Sequence, residues 1–297
     1  MKFAGIIAEY DPFHNGHAWQ LAQAKALGAE RVAVAMSCSL VQRGALPLLP
    51  EAVRTRSALT CGADLVFALP APCACAGAEA FARAGVALLP AAGCDGLVFG
   101  AETPDAALLM EAAELLDSGS YRAALKAQLA GGARSFAAAR QAAAAKLASD
   151  ERVAALLDKP NNNLAVEYCR AIRSLAPRME AYPLPRQGAN HGEALHSAHG
   201  QFASASALRK LWAEGGADAV APYVPEAVFP LYQEAYAAGQ YTDFSAAGRC
   251  ELALLRSACR GKAPFADIRG VSEGLEHRLE AAVRTSTTYD ELLDALT

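Results

Sequence analysis

Two histidines three residues apart, His14 and His17, enclose Asn15 and Gly16 just after an apolar run that begins at Phe3. Imidazole changes charge nearest to neutral pH, and each ring offers an N–H to an oxyanion. A glycine between two such rings lets a phosphate approach bare backbone. If the pair stands on a strand-to-helix turn, the free N–H groups of the helix N-terminus join the same donor set. That combination suits attack on the α-phosphate of ATP, where charge builds on the non-bridging oxygens, and gives an adenylate and pyrophosphate. Two unrelated surface histidines, or half of a metal site, are the alternatives for the four residues alone. No third and fourth ligand stands at suitable spacing, so no metal ligands are expected.

Such a turn needs a strand before it and a helix after it. Phe3 to Glu9 reads as the strand and Ala18 to Leu27 as the helix, with Trp19, Leu21, Ala22 and Leu27 as candidate buried positions. Arg31 to Met36, Asp64 to Leu69 and Gly96 to Gly100 read as further strands, separated by helical patterns over Glu51 to Cys61 and Ala78 to Leu89. This alternation predicts an α/β doubly wound parallel sheet with right-handed crossovers. Ligands in such sheets bind where strand carboxyl ends meet helices, which is where the histidine pair falls. Alanine-rich helices are expected at Ala106 to Leu116, Tyr121 to Leu129 and Ser135 to Leu147, then a helix from Asn161 to Ser174 and a last strand from Met179 to Pro185. A boundary at Gly215-Gly216 divides a nucleotide-binding domain, 1–215, from a helical C-terminal domain, 216–297. The core of the latter is expected from Leu252, Leu254, Leu255, Ile268, Leu275, Leu279, Val283, Leu292, Leu293 and Leu296.

The chain has 297 residues, 53% hydrophobic and 20% charged, with a net charge of −4, so it can bury a large core and carries no global basic field. Any nucleic-acid partner must then meet a local basic patch. Eight scattered cysteines, with no charged-then-apolar leader and no membrane-length apolar run, point to free thiols in a cytoplasmic protein.

Other polar residues fall at expected ligand edges. Gln42 and Arg43 follow the second strand, where a guanidinium fork suits phosphate or carboxylate, with a solvated loop as the alternative. Gly100, Ala101 and Glu102 end the fourth strand, as a turn or as a place where a ribose or base meets backbone. Asn161 and Asn162, within Lys159 to Asn163, carry amides that can read donors and acceptors, and one can instead cap a helix. Ser204, Ser206 and Arg209 could form a phosphate site, or only an N-cap with a surface arginine.

In order along nearly the whole chain, Ala8 to His17, Met36-Ser37, Gln42-Arg43-Gly44, Arg54-Thr55, Phe99 to Glu102, Lys159 to Asn162, Ser204 to Arg209 and Glu273 to Arg278 resemble the tRNA(Met) cytidine acetate ligases. This family lies in the nucleotidyltransferase-like superfamily with the H-x-G-H signature. The resemblance implies a Rossmann-like nucleotidyltransferase fold. It also implies that ATP and acetate give acetyl-adenylate, whose acetyl group passes to N4 of the wobble cytidine of elongator tRNA(Met). It assigns ATP contacts to Ile7, Ala8, Glu9, Tyr10, Asp11, Pro12, Phe13, His14, Asn15, Gly16, His17, Ala18, Trp19, Gln20, Gly100, Asn161 or Asn162, and Arg186, with His14 and His17 catalytic and Mg2+ on the triphosphate.

The sequence departs from the family pattern at Cys38, where glycine is expected, at Ala45-Leu46, where Glu-Pro is expected, and at Glu51, where lysine is expected. Asn190-His191 lacks the expected tyrosine before histidine, and the family's basic, aromatic tail would lie beyond Thr297. RNA contacts would then fall to Arg43, Arg54, Arg56, Arg209, Lys210, Arg249, Arg256, Arg260 and Lys262. An adenylyltransferase for a small metabolite and a non-catalytic nucleotide- or RNA-binding relative stay open as alternatives.

Overall fold

A computed structural model of the chain describes residues 1–42, 44–132, 135–186, 195–197, 200–261, 265–268, 271 and 274–296. The chain forms two compact units, Met1–Tyr241 and Thr242–Thr297. In the first, the strands are β1 (Phe3–Ala8), β2 (Arg31–Ser37), β3 (Leu65–Leu69), β4 (Gly96–Ala101), β5 (Glu180–Pro185), β6 (Leu195–Ser197) and β7 (Gly200–Phe202). Its helices are α1 (Asn15–Ala26), α2 (Glu51–Thr60), α3 (Ala71–Ala74), α4 (Ala78–Leu88), α5 (Ala106–Asp117), α6 (Gly119–Ala130), α7 (Phe136–Leu147), α8 (Glu151–Leu156), α9 (Pro160–Leu175), α10 (Ala205–Val220) and α11 (Phe229–Ala237). The second unit holds α12 (Phe244–Ala258), α13 (Leu275–Thr285) and α14 (Tyr289–Leu296).

β1 to β5 form one sheet in the order β3-β2-β1-β4-β5, with every pairing parallel. The chain winds from β1 through β2 to β3 and then returns to the other side of β1 with β4 and β5. The switch between β1 and β4 opens a crevice at the strand carboxyl ends. β1 is covered on both faces, as a parallel strand must be. Period-two alternation sends Ala4 and Ile6 into one core with Leu21, Val34, Met36 and Trp212, and Ile7 into the other with Phe81, Leu97, Phe99 and Ile172. Gly85 in α4 lets that second layer approach, because a Cβ there would lie 2.5 Å from Ile7 Cδ1. The second unit has its own core of Leu252, Cys259, Phe265, Ala282, Val283 and Leu292.

Two sequence expectations are corrected, and one element was not foreseen. Gly215 and Gly216 lie inside α10 and within the first unit. The aromatic cluster of Trp212 with Tyr232, Tyr236 and Tyr241 ties α10 and α11 into the same body, so the units part after Tyr241. The antiparallel hairpin of β6 and β7 follows β5, and its three-residue strands are too short to give a sequence signal. Leu254, Ile268 and Leu293 are 70%, 50% and 45% exposed rather than core. Among the described residues no helix is long and apolar enough to cross a membrane.

Candidate active site

The turn between β1 and α1 carries the histidine pair. The chain leaves β1 through Tyr10, whose φ of 51° few non-glycine residues adopt, and a cis Asp11–Pro12 bond. α1 begins at Asn15, three residues earlier than the periodicity suggests, because the histidines supply its caps. His14 Nδ1 accepts the N–H of Gly16 at 3.0 Å, and His17 Nδ1 accepts the N–H of His14 at 3.3 Å. Gly16 is needed for this, since a Cβ there would lie 2.9 Å from His14 Cε1. The rings stack with centroids 3.8 Å apart and planes 23° apart, backed by Tyr10 and Phe13.

Burial, and then the positive charge of Arg186, push the His14 imidazole down to about 4. His17 is held well below the usual histidine range by burial, then by His14 and Arg186. Both rings are therefore neutral at pH 7. With Nδ1 accepting from backbone, the remaining proton sits on Nε2, so the pair presents two neutral N–H donors.

Both histidines line a cavity of about 380 Å³ at the β1/β4 switch. Ile7, Ala8, Glu9, Tyr10 and Asp11 reach it from the end of β1, Phe99 and Gly100 from β4, and Leu184, Pro185 and Arg186 from the end of β5. Gly16, Trp19 and Gln20 of α1, Gln42 of the loop after β2, Asn161, Leu164 and Tyr168 of α9, Phe81 of α4, and Ala203, Ser204 and Ala205 at the start of α10 complete the wall. Arg186 is the one arginine or lysine of the wall among the described residues, and its guanidinium makes no hydrogen bond or ion pair there. The N-terminal turns of α1 and α10 both contribute to the cavity, so two positive helix-dipole ends converge with that cation. The chemistry of the wall is that of an anion site flanked by apolar rings.

Other sequence-predicted residues brace the site, some from within its wall and some from behind it. Arg209 donates through Nη1 to the Asp11 carbonyl at 2.7 Å and to Asp11 Oδ2 at 3.1 Å. Asp11 Oδ1 accepts the N–H of Leu48 at 2.6 Å. Burial nonetheless raises the Asp11 carboxyl above its ordinary range, with Leu48, Arg209 and Arg54 opposing. Asn162 is buried, with its amide spent on Thr103: Oδ1 accepts the Thr103 N–H at 2.9 Å and Nδ2 lies 3.1 Å from Thr103 Oγ1. Glu102 accepts the backbone N–H groups of Asn161 and Asn162 and the Asn161 amide, placing a carboxylate on the N-terminus of α9. Asn15 donates to the Pro222 carbonyl. Ser204 caps α10 by accepting the N–H of Ala207, and Ser206 is exposed beside it. Pro12, Phe13 and Ala18 belong to the turn and to α1 without reaching the cavity wall. Arg43, Asn190, His191, Lys262, Glu273 and Thr297 lie outside the described residues.

Arg54 is a correction. Read from sequence as a surface contact for RNA, it is fully buried. It donates to the carbonyls of Leu49, Glu9, Ser37 and Cys38 and so ties together the ends of β1 and β2. Arg56 instead faces Glu234 at 3.5 Å, and Lys210 is exposed. In the second unit Arg256 donates to the carbonyls of Val283 and Ser286, and Arg249 donates to Ser245 Oγ at 2.7 Å.

Comparisons with known proteins give the family. The family model described as HIGH Nucleotidyl Transferase matches residues 1–297. A tRNA(Met) cytidine acetate ligase of Syntrophotalea carbinolica is 37% identical over 299 residues, covering all of this chain and 70% of the relative. One from Acetivibrio thermocellus is 33% identical, with 100% and 72% covered. The chain belongs to the tRNA(Met) cytidine acetate ligase family. The crystal structure of apo Thermotoga maritima TmcAL superposes with a TM-score of 0.91 at 30% identity, covering 100% of this chain and 71% of that one. The same protein bound with alpha-thio ATP gives 0.89 at 29% identity, covering 100% and 70%. Within this family frame, the cavity residues that the motif reading did not supply are Phe81, Leu164, Tyr168, Leu184, Pro185 and Ala203. A signal for two of them was present: Asn161, Leu164 and Tyr168 stand at i, i+3 and i+7, one face of a helix.

Proposed function

We propose that the protein activates acetate with ATP as acetyl-adenylate and transfers the acetyl group to N4 of the wobble cytidine of elongator tRNA(Met). The observation that carries this reading is the stacked pair of imidazoles, each with Nδ1 accepting a backbone N–H, beside Arg186, whose guanidinium has no hydrogen bond or ion pair among the described residues, at the β1/β4 crevice. The names of the relatives and the alpha-thio ATP complex of the Thermotoga maritima protein support the choice of ATP and of tRNA(Met). ATP would meet the segment Ile7 to Gln20 together with Gly100, Asn161 and Arg186. Pro12, Phe13, Asn15, Asn162, Ser206 and Arg209 would act by holding that wall in place.

In the first step an acetate oxygen attacks the α-phosphorus. The new O–P bond forms as the bond to the α,β-bridging oxygen breaks, and pyrophosphate leaves with the electron pair. Acetate reacts as the anion, so no proton has to move. Negative charge grows on the non-bridging oxygens, where His14 Nε2–H, His17 Nε2–H and Arg186 donate more strongly to the transition state than to the ground state. Neutral donors suit this task because their protonation does not change near pH 7. In the second step N4 of cytidine attacks the acetyl carbonyl carbon, the bond to AMP breaks, and N4 loses a proton.

Magnesium would enter as part of the nucleotide substrate. Among the described residues no group of three or more His, Cys, Asp or Glu could cage an ion, and Glu9 and Asp11 of the wall already accept protein N–H groups. Such an ion would be held chiefly by phosphate oxygens and water. The test is incubation with MgATP, labelled acetate and bulk tRNA, followed by nucleoside analysis. Label is expected in acetyl-adenylate and in N4-acetylcytidine. Label in the adenylate alone would point to a small-molecule acceptor, and label in neither would end the reading.

A further inference from the structure

We infer that the Tyr168 hydroxyl, set above an apolar wall of Phe81, Phe99 and Leu164, is the group that recognises the carboxylate of the acid to be activated. This rests on the acetate-activation reading and adds the residues that choose the acid.

Tyr168 lies on α9 and lines the same cavity as the histidines, with only 4% of its surface exposed. Among the described residues its hydroxyl makes no hydrogen bond. A buried tyrosine hydroxyl is normally paired, so an unpaired one on a ligand cavity marks a donor kept for something else. It also differs from Tyr10, Ser37 and Trp212, whose unpartnered polar atoms are sealed inside protein. Burial, and then the nearby Glu9 carboxylate, raise the Tyr168 phenol above its ordinary range, so it remains a donor throughout the working pH range. The Tyr168 ring is set against Phe99, with centroids 5.4 Å apart and planes 54° apart. Phe81 and Phe99 are 2% and 4% exposed.

The arrangement is amphipathic on the scale of a short carboxylic acid. One carboxylate oxygen would accept from Tyr168, the apolar rings would take the tail, and the other oxygen would be free to attack phosphorus. An acid with a hydroxyl or ammonium group on its tail would press an unpaired polar group against Phe81 and Phe99, which is costly. The wall therefore selects an acid whose tail is small and wholly apolar, as acetate is.

The test is acid-dependent exchange of labelled pyrophosphate into ATP, run with the full chain and no tRNA. Tyr168→Phe removes one hydroxyl and nothing else. It should raise the KM for acetate about tenfold or more, the scale of a lost hydrogen bond to a charged acceptor, while the KM for MgATP stays within about twofold. Leu164→Ala widens the apolar side and should raise the propionate-to-acetate ratio of kcat/KM severalfold. An unchanged acetate KM in Tyr168→Phe, or an equal rise in both KM values, would overturn the assignment. If that variant fails to fold, the Leu164→Ala ratio decides, and an unchanged ratio overturns it. Exchange that wild type supports with other acids but not with acetate would sink the acetate reading itself, and the inference with it.

Discussion

The β1–α1 turn and the shell behind it contain the same kinds of residue and use them in opposite ways. On the turn, His14 and His17 spend Nδ1 on backbone and keep Nε2 for the cavity, and Arg186 has no protein partner among the described residues. In the shell, Arg54 and Asn162 spend their donors on carbonyls and on Thr103, and Arg209 turns Nη1 to Asp11. Both sets are polar, near the crevice and suited to phosphate by residue type. What separates them is the number of donors left after the protein has used its own. A buried donor is almost always satisfied, so the Nε2–H groups of the two rings, held open at the cavity, are reserved for a ligand, while Arg186 is exposed and adds a cation beside them.

Substitutions should divide along the same line, with the shell losing stability and the turn losing activity. The largest effect is expected at Arg54→Met, which strips buried carbonyls of their donor. Thermal and denaturant unfolding should report about 3–4 kcal/mol of lost stability. A small effect there would break the comparison.

His17→Ala should lower the rate of adenylate formation about 10²–10³-fold, the usual loss for a donor to transition-state charge. Stability should fall by only about 1 kcal/mol, for the lost cap. Arg209 and Arg186 form a matched pair of arginines. Arg209→Ala leaves buried Asp11 without its partner and should cost about 2 kcal/mol of stability. Arg186→Ala should leave the unfolding midpoint unchanged and weaken ATP binding at least tenfold by calorimetry.

The most gradual effect is a pH dependence. His14 titrates at about 4 in the folded protein and near the ordinary histidine value of about 6.5 when unfolded. Its contribution to stability is therefore whole above pH 6.5 and is lost as pH falls from 6.5 toward 4, because the unfolded chain takes the proton first. His14 should contribute a slope approaching about 1 kcal/mol per pH unit within that window, lost in His14→Ala, while His17, held down by the same burial, keeps a slope of its own until it too is replaced. In the upper part of that window, from pH 6.5 to about 5, adenylation should show no loss assignable to histidine protonation.

The legibility of the site follows this division. The histidine turn was readable because all its information is local: a strand, a glycine and two rings three residues apart. The parallel sheet was readable for the same reason, since β1, β2 and β4 are continuous apolar runs between short connections. Arg54 could not be placed, because its four carbonyl partners come from three chain segments that meet only when β1 and β2 pair. Arg209 reaches back 198 residues to Asp11, and Asn162 reaches 59 residues to Thr103. No spacing rule reports such partners. Tyr168 lay within reach of helical periodicity from Asn161, but its role depends on Phe81 and Phe99 arriving from two other elements.

The central claim is that two neutral imidazoles at the β1/β4 crevice stabilise charge on the α-phosphate as acetate attacks. Acetate-dependent pyrophosphate exchange into ATP without tRNA, comparing wild type with the His14→Ala/His17→Ala double variant, tests it most directly. The account predicts exchange in wild type and its loss by at least two orders of magnitude in a double variant that still folds and unfolds cooperatively. Exchange at the wild-type rate in that folded double variant would contradict it.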